Sequence, residues 1–184
     1  TDLDRKIGDS DHGINMKRGF GEIKKALPEY EKLEVSEVLT KCAMILITKV
    51  GGASGPLYAT ALMKMAKAFK DKNEGSVDID NIEYAVKEAV EGIKQRGNSS
   101  VGDKTMVDTL EPFYIAFKKA VQDEKNLKDS FAEGLMAAEK GMLSTKDIQA
   151  KRGRASYLGE RSIGTIDPGA CSSYLILKTI YNQI

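Results

Sequence analysis

Apolar residues recur at three- and four-residue spacing along most of this sequence, and this spacing constrains the fold more than any other feature. In residues 35–50, for example, Val35, Val38, Leu39 and Cys42 follow it. Such spacing places the apolar side chains on one face of an α-helix. The same pattern predicts helices over residues 14–27, 35–50, 56–70, 79–95, 105–122, 126–143 and 169–183.

The segments between the predicted helices also favour an all-α fold. They contain no sustained alternation of apolar and polar residues and no Asn-Gly or Asp-Gly pair of the kind that closes hairpins. Short connections predict antiparallel neighbouring helices, and residues 70–78 are predicted to form an exposed loop. Ser54 and Asp80 are the expected caps of the third and fourth helices, with Pro56 in the first turn of the third. The length of 184 residues predicts one domain over 1–184.

Composition limits the classes of partner. There are 28 Lys and Arg against 27 Asp and Glu, a net charge of +1, so no bulk charge attracts nucleic acid or an anionic membrane. The longest apolar run, residues 42–47, is far shorter than the roughly 20 residues that span a bilayer. Cys42 and Cys171 lie far apart without C-x-x-C spacing, which predicts free thiols in a reducing cytoplasm. We therefore expect a cytoplasmic protein whose partners bind at local sites.

Three carboxylates crowd the start of the chain. Asp4, Asp9 and Asp11 lie within eight residues, and His12, the only histidine, follows at once. Carboxylates so close together repel one another unless they are solvated, protonated or share a cation. Oxygen ligands suit Mg²⁺ or Ca²⁺, whereas one histidine and two distant cysteines disfavour zinc.

An EF-hand loop does not explain this cluster. Counted from Asp9, its glycine and its bidentate glutamate would fall where Ile14 and Phe20 stand. Two explanations remain open from spacing alone. The carboxylates either hold two Mg²⁺ ions against a polyphosphate or form a solvated acidic turn.

Several glycine-rich joints interrupt the helical pattern. Residues 51–55, GGASG, end one apolar segment and open another, which suits either an anion-binding helix start or a plain turn. Residues 97–105, GNSSVGDKT, nearly match a P-loop, but Asp103 separates Gly102 from Lys104 and a helical segment precedes them. We reject the P-loop; the loop either serves a nucleotide in another way or caps the next helix.

Five stretches taken in order resemble one known family over essentially the whole chain. They are GDSDHGINM, KVGGASGPLY, GDKTMVD, GRASYLGERSIG and DPGA. They resemble the DhaL family, the nucleotide-binding subunits of dihydroxyacetone kinases, and the related C-terminal domain of the ATP-dependent kinases. His12 favours the dihydroxyacetone branch, since the DhaL-like domain of fatty-acid kinase usually carries threonine there.

The resemblance implies an antiparallel up-and-down barrel of about eight helices with a nucleotide at one rim. It also implies that ADP stays bound as a coenzyme, that a DhaM-like phosphohistidine converts it to ATP, and that the phosphoryl group then passes to dihydroxyacetone on a DhaK-like subunit. The sequence leaves a homo-oligomer open.

The resemblance also implies site residues. Asp4, Asp9 and Asp11 would hold two Mg²⁺ ions, and His12 would join them in the catalytic set as a donor near the phosphates. The nucleotide itself, ADP or ATP, would be contacted by His12, Gly13, Ile14, Asn15, Ala53, Ser54, Leu57, Gly97, Thr105, Met106, Arg154, Asp167, Pro168 and Gly169.

This sequence departs from the family pattern at two places. Most of a helix that usually precedes the metal loop is missing, and Thr165 stands where histidine is expected. Two other functions stay open at this point. The first is the nucleotide domain of an ATP-dependent dihydroxyacetone kinase. The second is a non-catalytic module that binds ADP and Mg²⁺ to regulate a partner.

Overall fold

The structure, a computed structural model, describes residues 1–72 and 77–184 and is all-α, as predicted. Within these ranges there is no strand. The predicted loop at 70–78 lies partly outside the described residues, because 73–76 are not among them. The α-helices are α1 (Asp2–Ile7), α2 (His12–Ala26), α3 (Val35–Lys49), α4 (Ser54–Asp71), α5 (Ile79–Gly97), α6 (Val107–Gln122), α7 (Leu127–Ser144) and α8 (Pro168–Tyr181).

The seven predicted helices are confirmed, with ends that shift by one or two residues, but two predicted caps are wrong. The cap of α5 is Asp78, whose side chain accepts a hydrogen bond from the Asn81 backbone, and not Asp80. Ser54 is the first residue of α4 rather than its cap, and Pro56 does lie in the first turn. Sequence periodicity missed the short elements, which have too few turns for a repeat: α1 and the 3₁₀ helices Leu27–Tyr30, Thr145–Asp147 and Arg154–Ser162.

The chain divides into two compact units, which we call the first unit (Thr1–Asp11 with Ser99–Ile184) and the second unit (His12–Asn98). The second unit consists of α2 to α5. Its core contains Leu46, Phe69 and Ala85, all nearly inaccessible to solvent, so the predicted apolar faces are the packed ones.

The first unit packs α6, α7 and α8 around aromatic side chains. The rings of Phe113 and Phe131 meet edge to face with centroids 4.8 Å apart, an arrangement favoured by the charge distribution of aromatic rings. Pro112 lies inside α6 and lacks an N–H, so the Asp108 carbonyl loses its usual helical donor. Gly141 of α7 lies directly against that carbonyl, where any side chain would collide with it.

Within the described residues, no helix is long and apolar enough to cross a membrane. The predicted barrel closure and the predicted single domain stay predictions.

Candidate functional site: a carboxylate cluster and phosphate-compatible helix starts

The three predicted metal ligands come together in the first unit. Each of Asp4, Asp9 and Asp11 offers one carboxylate oxygen, and these oxygens all lie within 4.8 Å of one another. Asp4 is carried by α1, and the chain turns back after that helix through Ser10, whose φ of 70° is left-handed. This strained turn places Asp9 and Asp11 beside Asp4, and strain of this kind often marks a functional site.

The cluster fits a hard divalent cation. Asp4 is 7% exposed, so one of the three carboxylates is largely buried. Gly8 makes room for it, because a side chain at Gly8 would collide with the Asp4 carboxylate. Three oxygen ligands, one of them buried, form a donor set that Mg²⁺ can complete with water and phosphate oxygens.

A guanidinium already contacts this cluster. Nε of Arg154, at the start of the 3₁₀ helix Arg154–Ser162, lies 2.8 Å from Oδ2 of Asp9. Arg154 was predicted as a nucleotide ligand, and the structure places it against a predicted metal ligand. Sequence alone gave no sign of this ion pair, which joins residues far apart in the chain.

Other predicted nucleotide residues meet elsewhere in the first unit. Gly169 packs on Met106, so that a Cβ at Gly169 would lie 3.6 Å from Cβ of Met106. Asp167 caps α8 by accepting a hydrogen bond from the Ala170 N–H at 2.7 Å, and Pro168 opens that helix. Thr105 precedes α6 and accepts a hydrogen bond from the Val107 N–H at 3.1 Å. The structure therefore brings the segments 105–106 and 167–169 together.

Lys104 does not point outward from this loop. It is 1% exposed, and its ammonium donates to the carbonyl oxygens of Thr145 at 2.6 Å, Ile148 at 3.2 Å and Thr165 at 2.5 Å. Its backbone is left-handed, with a φ of 62°. The ammonium is thus engaged by backbone carbonyls, while the two roles left open for the 97–105 loop, serving a nucleotide or capping the next helix, stay predictions.

Three carboxyl groups act on this buried ammonium. Asp108 accepts hydrogen bonds from the backbone N–H groups of Gly102 at 2.6 Å and Thr105 at 2.7 Å. Burial lowers the pKa of Lys104, while Asp167, Asp147 and Asp108, in decreasing order, oppose that change. Loss of solvent raises the pKa of Asp167 to about 7, and the nearby charge of Asp108 adds to the rise. One cation and three carboxyl groups thus interact in this part of the first unit.

In the second unit, the starts of α2 and α4 meet. His12 is the first residue of α2, and its Nδ1 lies 2.9 Å from Oγ of Ser54, the first residue of α4. The first backbone N–H groups of a helix lack partners within it and carry partial positive charge. Two such starts joined by a polar contact form a surface that is compatible with phosphate.

The predicted contact Asn15 and the GGASG joint belong to the same region. A Cβ at Gly51 would lie 3.2 Å from Nδ2 of Asn15, so the GGASG joint packs closely on this amide. Arg18 donates to Oδ1 of Asn15 at 2.6 Å and to the carbonyl of Lys49 at 2.7 Å. Sequence reasoning missed Arg18, although its position one helical turn after Asn15 was the available signal.

The remaining predicted contacts of the second unit are described by their position in the helices and their exposure. Ala53 is exposed and precedes α4, while Leu57 in its first turns is partly buried. Gly13 follows His12 in α2, and the next side chain, Ile14, is 59% exposed. Gly97 is the last residue of α5.

Comparison with known proteins identifies the relatives of this chain. The model of the DAK2 domain matches residues 6–182. The chain belongs to the DAK2 domain family. Among curated proteins, this DAK2 domain is 44% identical over 180 residues to the "PEP-dependent dihydroxyacetone kinase 1, ADP-binding subunit DhaL" of Listeria innocua, covering 98% of this chain and 84% of that protein.

Three further comparisons concern a second curated relative and the fold. The DAK2 domain is 44% identical over 184 residues to the "PTS-dependent dihydroxyacetone kinase, ADP-binding subunit DhaL" of Lactococcus lactis, covering 100% of this chain and 86% of that protein. Its fold matches the dihydroxyacetone kinase of C. freundii in the native form, with a TM-score of 0.74 at 22% identity. The same kinase in complex with AMP-PNP and Mg²⁺ gives a TM-score of 0.67 at 21% identity. Each match covers 99% of this DAK2 domain and 30% of the kinase chain.

Proposed function

We propose that the chain is the nucleotide-carrying subunit of a dihydroxyacetone kinase. In this role it holds Mg²⁺ and ADP or ATP as a coenzyme, accepts a phosphoryl group from a DhaM-like phosphohistidine, and passes it to dihydroxyacetone on a DhaK-like subunit. The observation that carries the proposal is the convergence of Asp4, Asp9 and Asp11 within 4.8 Å. The names of the Listeria innocua and Lactococcus lactis relatives support the nucleotide and the kinase system.

Asp4, Asp9 and Asp11 are the residues that would hold two Mg²⁺ ions. When bound there, Mg²⁺ would supply positive charge that neutralises the phosphates during transfer. The carboxylates themselves orient the bound group, and buried Asp4 limits their freedom to move. Arg154, already 2.8 Å from Asp9, supplies a planar donor suited to phosphate oxygens.

His12 and Ser54 are proposed as phosphate contacts. Their mutual contact, between Nδ1 of His12 and Oγ of Ser54, holds the imidazole at two helix starts that are compatible with phosphate. We therefore assign His12 a donor role and not a nucleophilic one. Measurement of phosphoryl transfer by His12→Gln tests this role, because an unchanged rate would contradict it.

The other predicted contacts complete the proposed nucleotide site. Thr105 and Met106 flank the adenosine together with Asp167 and Gly169, since Gly169 packs on Met106. On the same resemblance we assign nucleotide contacts to Gly13, Ile14, Asn15, Ala53, Leu57, Gly97 and Pro168.

The decisive experiment is to purify the chain without added nucleotide, denature it, and identify what is released. Near-stoichiometric ADP with Mg²⁺, measured by chromatography and elemental analysis, is the expected result. An empty protein that exchanges ATP freely would favour the nucleotide domain of an ATP-dependent kinase, a second candidate supported by the fold match to 30% of the C. freundii kinase chain. A protein that binds neither nucleotide would contradict both.

A third candidate is a non-catalytic module that regulates a partner through ADP and Mg²⁺. Asp4→Asn, Asp9→Asn and Asp11→Asn separate it from the phosphotransferase. Transfer in the complete kinase system should fall with each substitution if the chain carries the reacting nucleotide. We also propose a cytoplasmic location, supported by the free thiols of Cys42 and Cys171.

A further inference from the structure

We propose that Lys104 is a positioning residue that sets the adenosine-side geometry of the nucleotide site, and that Thr145 acts with it. Neither side chain needs to touch the nucleotide. Lys104 holds the segment 165–169 in register with Thr105 and Met106, which directly follow it in the chain. This inference rests on the proposed nucleotide site.

The first observation is the set of backbone groups that Lys104 joins. Its ammonium donates to the carbonyls of Thr145, Ile148 and Thr165, at 2.6, 3.2 and 2.5 Å. An ammonium has three donors, so these three acceptors use its full capacity. Ile148 and Thr165 lie outside the helices, so Lys104 fixes loop backbone that has no helical hydrogen bonds of its own at these two residues.

Thr145 extends the same connection to the start of α8. Its hydroxyl donates to the carbonyl of Met142 at 2.6 Å and accepts from the backbone N–H of Asp167 at 3.0 Å. The segment 165–167 is thus held at both ends, by Lys104 at Thr165 and by Thr145 at Asp167. Thr145 has no exposed surface, so water does not compete for these hydrogen bonds.

The third observation links this connection to the proposed ligand. Gly169 follows the fixed segment and packs on Met106, with 3.6 Å between the position of a Cβ and the Met106 backbone nitrogen. Because Met106 is two residues from Lys104, one buried side chain fixes both sides of the Met106–Gly169 contact. A shift of 165–169 would open that contact and change the surface offered to a base.

A buried lysine is an expensive way to hold a fold together. Apolar packing at such a position is often equally stable, whereas a charged group with several hydrogen bonds defines geometry more narrowly. The contacts of Lys104 therefore suggest that narrow geometry is what the residue contributes. Loose geometry on the adenosine side weakens discrimination between bases more than it weakens metal or phosphate binding.

The test compares variants of the full chain for affinity and base selectivity. Lys104→Met removes all three donated hydrogen bonds at similar side-chain length, and Thr145→Val removes the hydroxyl with little change of shape. Ser130→Ala is the matched control, because Ser130 is also fully buried in this unit and donates to a backbone carbonyl, that of Lys125. Binding of Mg·ADP and Mg·GDP is measured by calorimetry, Mn²⁺ binding by electron paramagnetic resonance, and folding by thermal unfolding.

We expect both variants to bind Mg·ADP at least tenfold more weakly and to reduce the ratio of ADP to GDP affinity by a similar factor. Mn²⁺ binding should stay within twofold of the native chain. Ser130→Ala should lose thermal stability without losing selectivity. If Lys104→Met does not fold, Thr145→Val decides.

A folded Thr145→Val variant that keeps the native selectivity would overturn the inference. So would an equal loss of selectivity in Ser130→Ala, because that result would attribute the effect to general destabilisation. A native chain that binds no Mg·ADP would remove the proposed function itself, and the inference with it. Failure of the inference alone is recognised by native Mg·ADP binding together with unchanged selectivity in the variants.

Discussion

The first unit contains two groups of crowded charges, and they differ in how the charges are compensated. Around Lys104, the ammonium finds three carbonyl acceptors, and Asp108 accepts from two backbone N–H groups. In the carboxylate cluster, three acidic groups gather at one place, and the contact of Arg154 with Asp9 is an exposed ion pair. An ammonium surrounded by backbone carbonyls serves the architecture, while several acidic groups gathered at one place suit a ligand of the opposite charge.

The largest expected effect concerns the buried hydrogen bonds of Lys104. Lys104→Met should lower the free energy of unfolding by about 3–5 kcal/mol, because three carbonyl acceptors in the interior lose their donor. Urea denaturation followed by circular dichroism measures the change. Lys119→Met is the control, since Lys119 forms an exposed ion pair with Asp123 in the same unit. If Lys104→Met loses no more free energy of unfolding than Lys119→Met, the hydrogen bonds of Lys104 do not stabilise the fold as we expect.

The next effect concerns cation binding by the carboxylate cluster. Asp4→Asn should weaken Mn²⁺ binding on the order of 100-fold, because a buried anionic ligand is lost. Asp2→Asn, two residues earlier in α1 and paired only at the surface with Arg5, should leave binding unchanged. Equal Mn²⁺ affinity in both variants would mean that the cluster is a solvated acidic turn.

A smaller effect sharpens the comparison through pH. The pKa of Asp167 is about 7 when folded, well above its value of roughly 3.9 in an unfolded chain. Between these values the folded chain retains a proton that the unfolded chain has lost. Stability should therefore fall as pH rises toward 7, by at most about 1.36 kcal/mol per pH unit, and then level off.

Asp167→Asn should flatten that dependence, because asparagine resembles the protonated acid and can still cap α8. Melting temperatures from pH 5 to 8.5 measure it. Above pH 7 the variant should be at least as stable as the native chain, since it lacks the ionised carboxylate that loss of solvent and the charge of Asp108 disfavour. In Asp123→Asn the fall of stability with pH should persist, because the Lys119 hydrogen bond holds the pKa of Asp123 below its ordinary value and so below pH 5. An unchanged slope in Asp167→Asn would assign the titration to another group.

The smallest effect concerns Arg154. Arg154→Met should tighten Mn²⁺ binding about two- to fivefold, because an exposed ion pair that competes for Asp9 contributes only about 0.2–1 kcal/mol. Arg152→Met is the control, as Arg152 contacts Asp103 instead. Weaker metal binding in Arg154→Met would show that the guanidinium helps to assemble the cluster rather than competing within it.

Local patterns predicted much of this molecule. The seven long helices followed from apolar spacing, because each has enough turns to repeat it. The proximity of the three carboxylates followed from three aspartates in eight residues, which a single turn can bring together, while their metal role stays a prediction. The six-residue helix α1 was missed because so short a segment has no repeat to detect.

Contacts between distant segments could not be predicted. The sequence marked both Asp9 and Arg154 but not their pairing. It placed Ser54 as a helix cap, whereas its hydroxyl contacts His12. The GNSSVGDKT motif did not show that the Lys104 side chain enters the interior, where it is 1% exposed.

The enclosure of Lys104 also determines its chemical reactivity. Acylating reagents require an amine with a free electron pair and an open approach, and this ammonium is 1% exposed with each donor directed at a carbonyl. Nucleotide-directed acyl phosphates, which label lysines beside bound phosphates, should therefore pass over the lysine that most resembles a P-loop residue in the sequence. Covalent labelling would underestimate the importance of this residue, because the interactions that hold it are also those that protect it.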